Sequence, residues 1–232
     1  MEPMTTFSAA KDPVVLPGRQ NILFLAGIAS SFLYFAMNIF IPFQFEGYNS
    51  ASQTVSELSA VDAPTRSVWL VFGYIYTALL IAFALGVWKS GSARSPLRQS
   101  GNFLLAYGIV SLGWPFAPMH LREVLAAGGA TVSDTIHLVL AGTTVILMLL
   151  AMGFGAAAFR KRFRMYTITS MVILLIFGIL TSIEAPNIDA NLPTPMIGVW
   201  ERINIGVFLL WIIVLAVILI KDVKSTRRKI QF

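Results

Sequence analysis

Residues 135–158 read TIHLVLAGTTVILMLLAMGFGAAA, an apolar run in which His137 is the only ionisable side chain. Because an α-helix rises about 1.5 Å per residue, roughly 20 such residues are enough to cross a hydrocarbon core about 30 Å thick. The run therefore predicts a membrane-spanning helix, and the rest of the chain is expected to fold in the environment of a lipid bilayer.

Five further windows meet the same requirement of length and hydropathy, and short connections join them: residues 21–42, 66–88, 101–117, 166–183 and 202–220. The chain is 56% hydrophobic and 12% charged, with a mean hydropathy of +0.76, which excludes a soluble domain with a hydrated surface. We expect an all-α, polytopic membrane helical bundle with six transmembrane helices in the cell membrane. This bundle, residues 21–220, follows a loose lead-in over residues 1–20 and precedes a basic tail over residues 221–232.

The basic residues are distributed asymmetrically about these windows. If the N-terminus is cytoplasmic, all 17 Lys and Arg residues fall on the cytoplasmic side except Arg66, Arg122 and Arg202, and most acidic residues fall outside. This asymmetry is the positive-inside signature, so we expect both termini in the cytoplasm. The net charge of +6 is thereby explained without a nucleic-acid partner, and membrane lipids are the expected partners.

A polar stretch, WPFAPMHLREVLAAGGATVSDTIH (residues 114–137), separates the third and fourth windows. Pro115 and Pro118 interrupt helical hydrogen bonding, so we expect the outer end of the third helix to be broken and polar. Asp134 and His137, three residues apart at the start of the fourth helix, share one face of it. The ionisable side chains of the stretch include both histidines of the chain: His120, Arg122, Glu123, Asp134 and His137.

The first outer loop, residues 43–65, has the pattern of a short helix. Thr54 and Glu57 have the spacing of a capping box, and Val55, Leu58 and Val61 recur at intervals of three. We therefore expect a short interfacial helix in this loop, with its apolar side chains facing lipid or the top of the bundle.

The outer ends of the fifth and sixth predicted helices also carry charged side chains, Glu184 on the fifth and Glu201 with Arg202 on the sixth. Ionisable groups near membrane depth cost several kcal/mol unless they are paired, so their concentration on one side indicates a site. The predicted polar cluster or ligand-binding site comprises Glu57, His120, Arg122, Glu123, Asp134, His137, Glu184, Glu201 and Arg202.

The chain resembles an uncharacterised family of prokaryotic membrane proteins, domain of unknown function 998, in several short motifs. These are SQTVSELSA (52–60) followed by APTR (63–66), PFAPM (115–119), Asp134 with His137, and GVWER (198–202). The resemblance spans nearly the whole chain. It implies a six-helix integral membrane fold, and it brings no known activity, substrate or site.

Two interpretations of the polar cluster need no metal. In the first, Arg122 and Arg202 bind a lipid headgroup or a small anion, because a guanidinium offers two parallel donors to phosphate or carboxylate. Glu184 and Glu201 would then orient the arginines, and the histidines would donate hydrogen bonds or respond to pH.

In the second interpretation, the cluster is a structural latch. Glu201 and Arg202 would pair across the bundle with Glu123 and Arg122, holding the helix ends together, while His137 would hydrogen-bond Asp134. A latch and a binding pocket are compatible with each other.

A metal-dependent membrane hydrolase acting on a lipid ester or amide is the alternative. His120, Asp134 and His137, with Glu184 or Glu201, would supply imidazole and carboxylate ligands to a zinc ion. The chain has only two histidines and lacks a His-x-x-x-His pair, which weighs against this reading. Serine catalysis by Ser133 or Ser182 has no nucleophile-elbow motif to support it.

Overall fold

The computed structural model describes the backbone of residues 17–230 and the side chains of residues 20–223, and this part of the chain is helical without strands. Four-residue 3₁₀ helices span Ile41–Gln44 and Ser56–Ser59, and a three-residue one spans Trp114–Phe116. The α-helices are α1 (Pro17–Phe40), α2 (Arg66–Ser90), α3 (Pro96–Ser111), α4 (Arg122–Ala126), α5 (Val132–Ala158), α6 (Lys161–Glu184), α7 (Pro186–Asp189) and α8 (Ile197–Ile230).

The predicted terminal segments lie partly outside these described residues. Of the lead-in, residues 1–16 lie outside them, and α1 already begins at Pro17. At the other end, α8 continues through the predicted basic tail to Ile230, and residues 231–232 lie outside the description.

Five helical segments are long and apolar enough to cross a membrane: Gln20–Gln44, Arg66–Ser90, Val132–Ala158, Lys161–Asp189 and Ile197–Val223. Their outward faces carry large apolar side chains, such as Phe32, Leu138 and Ile179, each more than half exposed. A water-soluble protein would bury side chains of this kind, whereas hydrocarbon solvates them. The prediction of an all-helical membrane protein is confirmed.

The third predicted span differs from the window in the sequence. The helix α3 begins earlier than residue 101, at Pro96, where the Ser95 hydroxyl caps it by accepting from Arg98 N. It ends at Ser111 rather than near residue 117, because Pro115 lacks the N–H that a continuing helix needs. Its 16 residues correspond to about 24 Å, less than a hydrocarbon core of about 30 Å.

The long helices form a closed ring in the order α1, α2, α3, α5, α6, α8, each packing against its two neighbours. Large side chains fill one half of this ring, among them Phe24 near the start of α1, Phe83 near the end of α2, and Trp211. The end of the bundle nearest this filled half carries the α5–α6 connection with Arg160 and is called the basic end. The opposite end, with residues 41–65, 112–131 and 185–196, is called the polar end.

Residues 43–65, here the roof loop, cover the polar end of the ring. Its short helix is a single 3₁₀ turn, Ser56–Ser59, and the reciprocal capping bonds join Thr54 and Glu57 as the sequence predicts. Val55 and Leu58 are buried against side chains of α1 and α2. They therefore face the top of the bundle and not lipid.

Candidate functional site: a cavity beneath a braced loop

Glu57 is the most deeply buried acid at the polar end, with none of its surface exposed. Arg122, in the first turn of α4, donates from Nε and Nη2 to its two carboxylate oxygens, both at 2.8 Å. Gln53 Nε2 and Thr54 N each donate at 2.9 Å. These bonds tie α4 to the roof loop and satisfy a charge that would otherwise be costly to bury.

The hydrogen bonds fix the ionised state of this pair. Burial alone would raise the pKa of Glu57, but the bonds from Arg122, Gln53 and Thr54 outweigh it and hold the pKa below its ordinary value. The bond to Glu57 in turn raises the pKa of Arg122. Both side chains are therefore charged at neutral pH, and the pair is a permanent ionic brace.

Arg202, near the start of α8, binds the other side of the roof loop. Its Nη1 donates to the carbonyl oxygens of Ser50 and Gln53 at 2.9 and 3.2 Å, and its Nη2 donates to the Tyr48 hydroxyl at 2.7 Å. Burial raises the pKa of Tyr48 to about 12, so this hydroxyl keeps its proton and donates it to Thr54 O at 2.7 Å. The two terminal nitrogens of the guanidinium thus bind the roof loop, while Nε is buried without a hydrogen-bond partner.

Glu201, next to Arg202, also contacts the roof loop. Its carboxylate accepts from Val55 N, and the Ser56 side chain lies within hydrogen-bonding reach of it. Gly198, one turn earlier, packs directly under the loop, where a Cβ would collide with the carbonyl oxygens of Ser50 and Gln53. The first turn of α8 and the roof loop therefore form one closely fitted unit.

His120 and Asp134 make a second, separate pair. His120 Nδ1 lies 2.8 Å from Asp134 Oδ2, and His120 N donates to Asp134 Oδ1 at 2.7 Å. Asp134 also accepts from Thr131 N, which completes the capping box at the start of α5. This arrangement anchors the segment before α4 onto the first turn of α5.

The latch interpretation expected a hydrogen bond between His137 and Asp134. His137 does not make this bond and faces inward. It is 7% exposed, with Nδ1 2.9 Å from the carbonyl oxygen of Ala117 and Nε2 3.0 Å from the Ser56 hydroxyl. A carbonyl oxygen only accepts, so Nδ1 carries a proton and donates it. In the neutral imidazole, Nε2 is then an acceptor, and the single proton of the Ser56 hydroxyl has two acceptors within reach, Nε2 and the Glu201 carboxyl group.

Beneath the roof loop lies a cavity of about 720 Å³, lined by side chains of α1, α2, α3, α5, α6 and α8. Polar side chains line its upper part, including Ser56, His137, Glu201 and Asn204. Tyr76 and Tyr107, whose hydroxyls are 3.1 Å apart, line it where the packed core of the ring begins. This volume is within the range of about 300–1,000 Å³ that is typical of small-molecule sites.

The cavity opens sideways as well. Leu138 and Ile146 of α5 and Leu175 and Ile179 of α6 line it, yet they are 41–67% exposed. Side chains that both line a cavity and face the surroundings mark its mouth. The mouth is apolar and lies between two helices that are long enough to cross a membrane.

The predicted site residues thus divide into several groups. Glu57, Arg122, Glu201 and Arg202 meet at the roof loop, but Arg122 pairs with Glu57 and not with Glu201. Arg202 bonds backbone oxygens and Tyr48 and not Glu123. Glu123 is exposed in the first turn of α4. Glu184, at the end of α6, has a buried Oε2 atom without a hydrogen-bond partner.

The predicted zinc ligands do not converge. His120 and Asp134 bind each other, while His137 bonds Ala117 and Ser56. Within the described residues, no three His, Cys, Asp or Glu side chains are grouped so that they could hold a metal ion. The three predicted zinc ligands therefore do not form one metal site in this arrangement.

Sequence reasoning missed Ser56, Asn204 and Trp114 as cavity residues. Trp114 packs edge-on against the His137 ring, with centroids 4.8 Å apart. The motif SQTVSELSA contained a usable signal, since the Thr54–Glu57 capping box turns the intervening Ser56 to the other side of the turn. No sequence pattern linked Ser56 to His137, which lies 81 residues away in the chain.

A comparison with protein families finds a match to the family described as "Protein of unknown function (DUF998)" over residues 28–218. This range includes the roof loop, the His137 segment and the first turn of α8. Neither the curated proteins nor the solved structures contain a match to the chain.

Proposed function

The chain belongs to the DUF998 family of proteins of unknown function, and we propose that it binds one amphiphilic lipid in the cavity under the roof loop. The polar part of the lipid contacts Ser56, His137 and Asn204, and its apolar part passes between α5 and α6 into the bilayer. The observation that carries this proposal is the cavity itself, which joins a polar top to an apolar side opening. An amphiphile is the class of molecule that matches both surfaces.

The membrane placement belongs to the same proposal. The polar end lies at the outer leaflet of the cell membrane and both termini lie in the cytoplasm, in accord with the positive-inside rule. The helix α3 is the sixth crossing, supported by its packing between α2 and α5 and by the return of the chain from the basic end to the polar end. Its shortness is compensated by residues 112–118, which continue beneath the roof loop.

The arginines have a bracing role and do not bind the headgroup. Arg122 donates hydrogen bonds to Glu57, Thr194 and Ser52 O. Arg202 donates hydrogen bonds to backbone carbonyls and to the Tyr48 hydroxyl. A headgroup would have to displace these partners to reach Arg122 or the two terminal nitrogens of Arg202, while Arg202 Nε is buried without a hydrogen-bond partner. The braces instead hold the roof loop over the cavity, which keeps Ser56 facing its interior.

Native mass spectrometry of protein extracted in mild detergent tests the proposal. We expect one co-purified lipid per chain. Gly142 lines the cavity, and a Cβ placed there meets no atom within 4 Å, so Gly142→Phe fills the mouth without a backbone clash. This variant should lose the lipid.

Gly153 provides the matched control, since it is on the same helix, has the same open space and does not line the cavity. Gly153→Phe should retain the lipid. Equal lipid occupancy in both variants, or none in the native protein, would count against the proposal.

A further inference from the structure

We propose that Ser56 and His137 are a catalytic pair that cleaves a carboxylic ester of an amphiphile through an acyl-enzyme on Ser56. This inference rests on the proposed lipid site and names the reaction that occurs there. Its starting observation is the 3.0 Å contact between Ser56 Oγ and His137 Nε2 inside the cavity. A hydroxyl within hydrogen-bond reach of an imidazole, oriented in turn by a third group, is the arrangement that activates a serine.

The tautomer of His137 is the one this chemistry needs. Because Ala117 O accepts from Nδ1, the neutral ring has its lone pair on Nε2, facing Ser56. A carboxylate commonly holds the base in this tautomer in serine hydrolases, and here a backbone carbonyl does so. The edge-on contact with Trp114 restricts rotation of the ring.

Ser56 is held in place from both sides along the chain. The preceding residue, Val55, donates its N–H to Glu201, and the following residue, Glu57, is bound by Arg122. Glu201 and Glu57 are therefore positioning residues for the nucleophile. Rigid support of this kind keeps reacting groups within the narrow geometry that catalysis requires.

Burial of His137 opposes the positive charge that develops on its ring during proton transfer, whereas the Asp134 carboxylate, one helical turn earlier, favours that charge. The other groups packed around the ring, Trp114 and Ala117 O, carry no net charge.

The reaction proceeds in two balanced steps. Ser56 Oγ forms a bond to the ester carbonyl carbon while its proton moves to His137 Nε2; the bond to the alkoxy group then breaks, and the alcohol leaves with that proton. In the second step, water gives a proton to His137 and its oxygen bonds the acyl carbon. The acid leaves as Ser56 recovers the proton. No oxidant, reductant or metal takes part.

Two other serines near the polar end donate to backbone carbonyl oxygens and not to an imidazole. Ser182 lines the same cavity, but its hydroxyl donates to Gly178 O on its own helix. Ser133 donates to Pro118 O. Ser133 does not line the cavity, so it serves as the control serine without an imidazole partner.

The test is covalent labelling of the intact, full-length chain with a long-chain alkyl fluorophosphonate, which forms an oxygen–phosphorus bond to an activated serine as fluoride leaves. Peptide mass spectrometry of the native protein should place the adduct on Ser56. Ser133→Ala should be labelled at the native rate, and Ser56→Ala should not be labelled. His137→Gln should react on the order of 100-fold more slowly, the lower bound of the usual contribution of a general base.

The native protein by itself can overturn the inference, so the test remains decisive even where a variant does not fold. An unmodified Ser56 in folded native protein, or an adduct only on another serine, would refute it, as would native-rate labelling of a folded His137→Gln variant. If native mass spectrometry still shows bound lipid while Ser56 stays unlabelled, the catalytic inference fails and the binding proposal stands.

Discussion

Arg122 and Glu57 are 65 residues apart in the chain and form a two-pronged ion pair, with Nε and Nη2 each 2.8 Å from a different carboxylate oxygen. The carboxylate is fully buried, and the arginine side chain is about a quarter exposed. The planar guanidinium matches a carboxylate in this geometry, which lysine cannot do. The pair holds α4 against the roof loop, and so it closes the cavity from above.

Removing the arginine should destabilise the protein strongly. Arg122→Ala leaves the Glu57 charge buried without its partner, and we expect a loss of about 3–5 kcal/mol in the free energy of unfolding. Thermal or denaturant unfolding in detergent measures it. The neighbouring Glu123 is exposed, so Glu123→Ala should change stability by less than about 0.5 kcal/mol. Equal effects of the two substitutions would contradict the assigned pairing.

The same pair should make stability depend on pH in the acid range. The pKa of Glu57 is lower in the folded protein than its ordinary value, so its contribution is complete above the ordinary value and is lost as pH falls through the lowered one. Glu57→Gln should therefore be less stable than the native protein at neutral pH and should lose less stability on acidification. Parallel profiles of stability against pH for the two proteins would refute this assignment.

Gly198 should tolerate no side chain. A Cβ there would overlap the carbonyl oxygens of Ser50 and Gln53, which are backbone atoms and cannot turn aside. Gly198→Ala should cost about 1–3 kcal/mol, the usual range for overpacking, and should loosen the roof loop. The loosening is measurable by hydrogen exchange at residues 50–58. Gly153→Ala, in open space on α5, serves as the control, and a similar response in both variants would argue against a close fit.

The orientation of the bundle can be tested with single cysteines, since the native chain has none. Glu123→Cys is at the polar end and Ser92→Cys is in the α2–α3 connection at the basic end, and both positions are exposed. A membrane-impermeant thiol reagent added to whole cells should label Glu123→Cys, and it should label Ser92→Cys only after permeabilisation. The reverse pattern would overturn the proposed sidedness.

The helical fold was largely predictable because hydrocarbon imposes a length and an apolar composition that can be counted along the sequence. Five of the predicted windows correspond to long apolar helices in the structure. The third window was misplaced at both ends, since mean hydropathy does not register the start at Pro96 or the interruption before Pro115. These boundaries are set by the Ser95 cap and the proline, which are local features of the backbone.

The site was predictable in part. Glu57, Arg122, Glu201 and Arg202 lie at one end of the bundle, where the sequence placed them together. Their pairing was not predictable, because an arginine can reach any of several acids and the outcome depends on how the roof loop folds across the ring. Ser56 escaped notice because serine is a common residue, and its significance comes only from the distance to His137.

The most direct test of the account is photo-crosslinking with a phospholipid that carries a diazirine on its acyl chain, followed by peptide mass spectrometry. Residues at the mouth of the cavity on α5 and α6, such as Leu138 and Ile179, should acquire adducts that excess unlabelled lipid suppresses and that Gly142→Phe abolishes. Adducts confined to outward-facing residues away from the mouth, such as Phe32 and Ile109, and unaffected by Gly142→Phe, would contradict a lipid-binding cavity.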